Sequence, residues 1–361
     1  MKYNRNILGL GIATVCLAGG IVNAAPSITG YVDETYNYNF AKNSGPAANA
    51  YDEYSPNTKT FDLNTAHLSI SGSDSATGVG YDIETDFGTD AALNDPNSPS
   101  GLFDVQQAFL TYAFGPGRAW GLKAGKYDTY EGIEVTAAGS NPTISRGLLF
   151  TLAEPISHTG LELNYTQGMM DLHLGLVNGW DQVLDVNTTP TGLAKIGLNW
   201  GDPLALTISG LVGEENFALA GYPALGDTKG IRTSVDVTGV THVVKMVDIN
   251  FQGNYGMQAH ASALSAGKTA TWYGFGVQPL LHVNSMWELG LRYEFFNDLD
   301  GARANFGVKQ IIQDVSLAPT YTINKYLTAR VEYRVDFSNK KVFINTDKNQ
   351  QIISADLIAT F

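Results

Sequence analysis

The chain has almost no cysteine. Cys16 is the single one in 361 residues, and it lies in an amino-terminal segment built like an export signal. Lys2 and Arg5 precede an apolar stretch from Ile7 to Val22, which ends at Val22-Asn23-Ala24 before Ala25 and Pro26. A basic start, an apolar middle and a small-residue site define a cleaved secretory leader. Residues 1–24 are therefore expected to be removed and 25–361 to form the mature protein. Without Cys16 that protein has no thiol, no disulfide and no cysteine metal site.

Basic charge is scarce as well. The chain carries 22 Lys plus Arg against 35 Asp plus Glu, and loss of Lys2 and Arg5 with the leader takes the net charge from −13 to about −15. Such a balance excludes nucleic acid as a partner. Long apolar runs are missing too: beyond the leader no stretch reaches about 18 residues, so no helix is expected to span a bilayer. The six histidines, at 67, 158, 173, 242, 260 and 282, show no paired spacing that would hold zinc. No cofactor, no metal and no enzyme activity are expected. Nor does any linker or low-complexity stretch divide the chain, which favours one large domain.

What is abundant is glycine (39), tyrosine (18) and phenylalanine (16), with only 16% charged residues, a composition that favours β-structure. Side chains on a strand alternate between two faces, so a barrel wall in lipid must be apolar at one parity and polar at the other. Val79, Tyr81, Ile83, Thr85 and Phe87 alternate with Gly80, Asp82, Glu84 and Asp86. Val247, Ile249, Phe251, Gly253 and Tyr255 alternate with Asp248, Asn250, Gln252 and Asn254. Trp287, Leu289, Leu291, Tyr293 and Phe295 alternate with Glu288, Gly290, Arg292 and Glu294. The clearest case sets Leu327, Ala329, Val331, Tyr333, Val335 and Phe337 against Thr328, Arg330, Glu332, Arg334 and Asp336. Facing that last row to lipid would cost roughly 2 to 4 kcal/mol for each arginine at mid-depth, so it must face the lumen.

Read in this way the chain forms an all-β, transmembrane antiparallel β-barrel of about 16 strands, within a range of 14 to 18. The strands are expected to begin near residues 27, 58, 78, 102, 119, 157, 171, 192, 204, 231, 246, 269, 287, 309, 327 and 350. The second and tenth alternate least well. Long connections, at about 41–57, 89–101, 131–156, 179–191, 214–230, 258–268, 297–308 and 338–349, alternate with short ones such as Gly115-Pro116-Gly117 and Gln167-Gly168. Long external loops and tight periplasmic turns produce that rhythm in an outer-membrane barrel. Aromatic residues mark the membrane interfaces, with Phe87, Tyr127, Tyr255 and Phe295 expected at the external belt and Phe114, Tyr165, Trp200, Trp287 and Tyr321 at the periplasmic one. The final strand closes on Phe361, a terminal aromatic of the kind read by the outer-membrane assembly machinery.

Several motifs resemble the β-barrel porin family related to OmpL. They are Gly125-Lys126-Tyr127 with Thr129, Gly132 and Glu134; Asn141, Ser145-Arg146, Pro155 and His158-Thr159-Gly160; and Asn178-Gly179-Trp180-Asp181 with Asn187. Later echoes are Arg292-Tyr293-Glu294 with Asp298 and Gly301, and Arg330 to Asp336. The match is densest from about residue 104 to 190, and Tyr127 stands where phenylalanine is expected. The resemblance implies a bacterial outer-membrane pore, in contact with lipid, passing small hydrophilic solutes or ions. Similarity to sixteen-strand porins implies a homotrimer, and a third external loop folded into the barrel to narrow it. Here the third long connection is also the longest, and it carries Glu131, Glu134, Arg146 and Glu154 as expected constriction-loop residues.

The expected pore-lining residues are Asp82, Glu84, Asp86, Asp248, Arg292, Glu294, Arg330, Glu332, Arg334 and Asp336. Carboxylates outnumber arginines on that face, so the pore is expected to prefer cations. If the three arginines instead cluster opposite the third loop, the narrowest point would favour anions. Two rival readings stay open: a barrel enzyme of the lipase or protease kind, and a plugged adhesion or structural barrel. Asp298-Leu299-Asp300-Gly301 begins like a calcium loop, but the remaining ligands of a full loop are missing.

Overall fold

The computed structural model describes residues 25–42, 49–52, 54–94, 101–201, 204–216 and 229–361. The expected leader, residues 1–24, lies outside them. Sixteen strands form one closed antiparallel barrel in which each strand pairs with its sequence neighbours and the first pairs with the last. They are β1 (Ser27–Asn39), β2 (Thr60–Ser73), β3 (Val79–Phe87), β4 (Phe103–Phe114), β5 (Trp120–Asp128), β6 (Ser157–Gln167), β7 (Met170–Val177) and β8 (Thr191–Asn199), followed by β9 (Leu204–Asn216), β10 (Lys229–Val244), β11 (Val247–Gln258), β12 (Ala270–His282), β13 (Trp287–Asp298), β14 (Gln310–Asn324), β15 (Leu327–Ser338) and β16 (Asn349–Thr360). Each starts within two residues of its expected position. No described helix is long and apolar enough to cross a membrane; the crossing is made by strands.

Closure leaves no edge strand with unpaired backbone groups, which hydrocarbon would not tolerate. At the seam the Gly30 N–H donates to the Phe361 carbonyl at 3.2 Å, and the Phe361 N–H donates back at 3.0 Å. The Phe361 ring lies on Gly30, where a Cβ would come within 2.4 Å of it. The second strand alternates poorly for a local reason: the register shifts between Asp33 and Glu34, so Asn64 of β2 bulges out of the ladder.

The parity reading holds along most of the wall. Ile83, Phe87, Val331, Tyr333 and Leu357 are exposed on the outside, while Asp86, Glu332, Arg334 and Asp356 are buried inside. Tyr127 departs from it. Expected at the external belt, it is buried within the barrel: it shares the inward parity of Gly121, Lys123 and Gly125 and pairs with the buried His158, while Gly125 (φ 137°) breaks the alternation so that Lys126 is buried as well. The largest apolar core also lies inside the barrel. Leu148, Leu149, Leu152 and Ala153 of the third long loop pack with Trp180, Leu211, Trp272, Phe296 and Ile312 of the fourth loop and the wall.

Candidate pore constriction

The third long loop, residues 129–156, leaves β5 and enters the barrel. Its neck is closed by the Thr129 N–H donating to the Ile156 carbonyl at 3.0 Å. Asp181 of the fourth loop accepts the N–H groups of Ile156 and Ser157 at 2.6 and 3.0 Å. Near the neck, Glu131 and Glu154 both face β10 and β11. Ser234 donates to Glu131 at 2.6 Å, Gln252 reaches Glu154 at 2.5 Å, and the same Gln252 amide reaches Asp236 at 2.8 Å. Among the described residues these three carboxyls have only neutral hydrogen-bond partners. Burial, reinforced by the carboxylate of Asp236, pushes Glu131 up to about 8 and Glu154 well above the ordinary range. Gly132 also donates its N–H to Asp236, at 3.1 Å.

Beyond the neck the loop reaches the far wall, where three arginines at inward parity receive it. Arg292 of β13 sits between Asp314 (2.8 Å) and Glu134 (2.9 Å), and donates to the Ser145 carbonyl at 2.6 Å. Arg330 of β15 pairs with Asp356 at 2.5 Å and donates to the carbonyls of Ala138 and Asn141, each at 3.0 Å. Arg334 pairs with Asp314 at 2.8 Å and Asp336 at 3.0 Å, and donates to the Arg146 carbonyl at 2.7 Å. Between them Glu332 accepts the N–H groups of Ile144 and Ser145 at 2.6 and 2.7 Å. Glu294 accepts that of Leu149 at 3.0 Å. All three arginines are no more than 4% exposed.

Small wall residues bring the backbone of the loop this close. A Cβ on Gly290 would stand 2.3 Å from the Pro142 carbonyl oxygen, and one on Gly274 would stand 2.4 Å from Leu149. Arg146 turns back into its own loop. It donates to the carbonyls of Val135, Ile144 and Thr136, and its guanidinium lies 5.0 Å from the centre of the Tyr54 ring.

The remaining inward residues lie elsewhere. Asp82 and Glu84 of β3 are half-buried, and Gln107 donates to Glu84 at 2.9 Å. Asp86 is buried and hydrogen-bonded to His67 at 2.7 Å. At the periplasmic end, Asp248 is bonded to His242 at 2.5 Å and His282 at 2.9 Å, and His282 reaches Glu288 at 2.7 Å. The structure thus brings Arg292, Glu294, Arg330, Glu332, Arg334 and Asp336 together with the third loop, and leaves Asp82, Glu84 and Asp248 apart from it. Asp298 accepts three backbone N–H groups, from Ala302, Arg303 and Ala304. Asp300 accepts from Ser262 and Thr271, so both carboxylates are engaged in shaping loops. Among the described residues no cluster of His, Cys, Asp or Glu is arranged to hold a metal ion.

Sequence reasoning missed Asp314, which bridges Arg292 and Arg334, and the apolar seat formed by Trp272, Phe296 and Ile312. The available signal was large apolar residues at the polar parity near the external ends of β12, β13 and β14.

A closed sixteen-strand wall, lined with polar side chains and holding a loop folded inside, defines an outer-membrane porin channel. The sequence profile described as "Putative beta-barrel porin-2, OmpL-like" matches residues 26–361, and the chain belongs to that family. No curated protein matches it significantly. Among solved structures it is similar to the outer membrane channel DcaP of Acinetobacter baumannii, with 16% identity, 96% of this chain and 100% of that chain covered, and a TM-score of 0.65. The anion-selective porin from Comamonas acidovorans matches at 9% identity, with 93% and 99% covered and a TM-score of 0.63. The trimer form of in-vitro folded OmpT, an outer membrane protein of Vibrio cholerae, matches at 14% identity, with 93% and 99% covered and a TM-score of 0.63. At these identities the likeness shows the fold, and the family match places the chain in the outer membrane as a channel.

Proposed function

We propose that this porin passes small hydrophilic solutes and prefers cations. The observation that carries the preference is the state of the arginines. Arg292, Arg330 and Arg334 are buried against the third loop and saturated by carboxylates and carbonyls. Asp82, Glu84, Asp128, Asp171, Asp248 and Glu288 stay half-buried, and among the described residues all but Asp171, paired with Lys195, lack a Lys or Arg ion-pair partner. A lumen whose accessible charge is acidic lowers the energy of a cation within it. Clustering of the arginines opposite the third loop therefore does not create an anion filter, because their charge is spent on holding the loop.

On this reading Asp82, Glu84 and Asp248 line the passage, Asp86 is buried against His67, and Glu131, Glu134, Arg146 and Glu154 fix the constriction loop rather than project into the opening. The chain acts as a channel and not as an enzyme, a reading supported by its family and by structural neighbours named as porins or channels. It is exported behind a cleaved leader, Phe361 serves the assembly machinery as well as closing the seam, and the barrels assemble in threes, as the trimer form of OmpT does. In planar bilayers the purified protein should conduct steadily, with a cation-selective reversal potential that weakens as salt rises. An anion-selective sign at low salt would refute the preference, and absence of conductance would refute the open channel.

A further inference from the structure

Four titratable side chains at the periplasmic end of the lumen form one hydrogen-bonded chain. Strand parity turns His242, Asp248, His282 and Glu288 inward, close to the short connections that join β10 to β11 and β12 to β13. Asp248 lies between two imidazoles, 2.5 Å from His242 Nδ1 and 2.9 Å from His282 Nε2, and His282 Nδ1 lies 2.7 Å from Glu288. An ionised carboxylate only accepts hydrogen bonds, so both ring nitrogens of His282 donate and the ring is the imidazolium. Between 26% and 32% of each side chain is exposed, so water in the passage reaches all four. Their surroundings are otherwise uncharged. Ala205 of β9 and Thr320 of β14 flank them, and the third loop meets this wall through Pro142 on Gly290. Arg330, opposite Thr320 on β15, is paired with Asp356, and Lys245 is exposed in the β10–β11 turn.

We propose that His242 and His282 set the strength of the cation preference argued above, a reading on which this inference rests. While both rings are charged they cancel Asp248 and Glu288, and this part of the mouth is neutral. Once the rings lose their protons, two carboxylates bear on the passage and lower the energy of a cation there. Imidazole changes charge between about pH 5 and pH 8, so the preference should strengthen across that range. The other histidines are placed differently. His67 and His158 are buried or nearly so, and His260 lies in an external loop. His173 also lies between two carboxylates, Glu162 at 2.6 Å and Asp171 at 2.9 Å. There the Tyr130 ring of the third loop packs 4.8 Å from the imidazole, and Lys195 holds Asp171 at 2.8 Å whatever the charge of the ring.

Reversal potentials of the purified protein in a dilute potassium chloride gradient, recorded at about pH 5 and about pH 8, test this. In the parent the potassium-to-chloride permeability ratio should rise several-fold with pH. In the double variant His242→Gln, His282→Gln it should be high at both pH values, because nothing cancels the carboxylates. Glu288→Gln keeps both rings and should lower the ratio at the higher pH, which preserves the test if the double variant folds poorly. A ratio that does not rise with pH in the parent, or a rise that either variant reproduces in full, overturns the inference and leaves the cation preference standing as long as the sign stays cationic. An anion-selective sign at both pH values refutes the preference itself.

Discussion

Two stretches of the inner wall share the same alternating pattern and end in different states. On β12 to β15, arginines and acids stand beside Trp272, Phe296 and Ile312, and the third loop seals them from water. On β3, Asp82 and Glu84 remain half-buried, and among the described residues neither is hydrogen-bonded to a loop. Inward parity therefore says which side of the wall a side chain occupies, but not whether it meets the passage. What separates the two stretches is the presence of apolar side chains and glycines at inward positions, because they give a loop something to pack on and room to approach.

The largest effect is expected from removing the centre of the seat. Arg292→Ala leaves Glu134 without its buried cation and Asp314 with Arg334 alone, a loss of about 3 to 5 kcal/mol. Urea unfolding of the refolded barrel should show it, together with larger and noisier single-channel currents as the loop comes free. Unchanged currents with reduced stability would mean that the arginine holds the wall and not the loop.

Gly290→Leu tests the same contact from the steric side. A side chain there collides with Pro142, and overpacking of this kind costs about 1 to 3 kcal/mol. The loop should become sensitive to protease added from outside, whereas the same change at Gly253, which has open space around its Cβ position, should have no such effect.

The smallest effect concerns the neck. Glu131 is held up at about 8, so the folded barrel keeps a proton that the unfolded chain releases near pH ~4.3. Its contribution is fully present below that pH and is lost as pH rises through about 8. Barrel stability should fall over that interval, and Glu131→Gln should flatten the dependence. A variant with the same slope as the parent would remove Glu131 as its source.

Most of the fold was legible because a lipid-facing wall imposes its pattern on every strand, as in Leu327 to Phe337. The long and short connections then fixed the strand order. Where local backbone geometry intervened, legibility failed: Gly125 turned Lys126 inward beside Asp104, and the Asn64 bulge blurred β2. Of the site, the longest loop and its wall arginines were readable from spacing and charge. Their pairing was not, because Arg292 meets Glu134 across 158 residues, and strand parity carries no information about what lies against the inner surface. Trp272 and Phe296 at polar positions were the visible sign of the seat.

The claim that one inner stretch is sealed while another meets the passage is tested most directly by cysteine modification under current. Ser69 of β2 and Ser316 of β14 both point inward, the first half-buried and the second 1% exposed. Each is replaced by cysteine and treated in a bilayer with a small, charged, water-soluble methanethiosulfonate. The account predicts a stepwise change in current for Ser69→Cys and none for Ser316→Cys. Rapid modification of Ser316→Cys, with Ser69→Cys silent or equal, would contradict it.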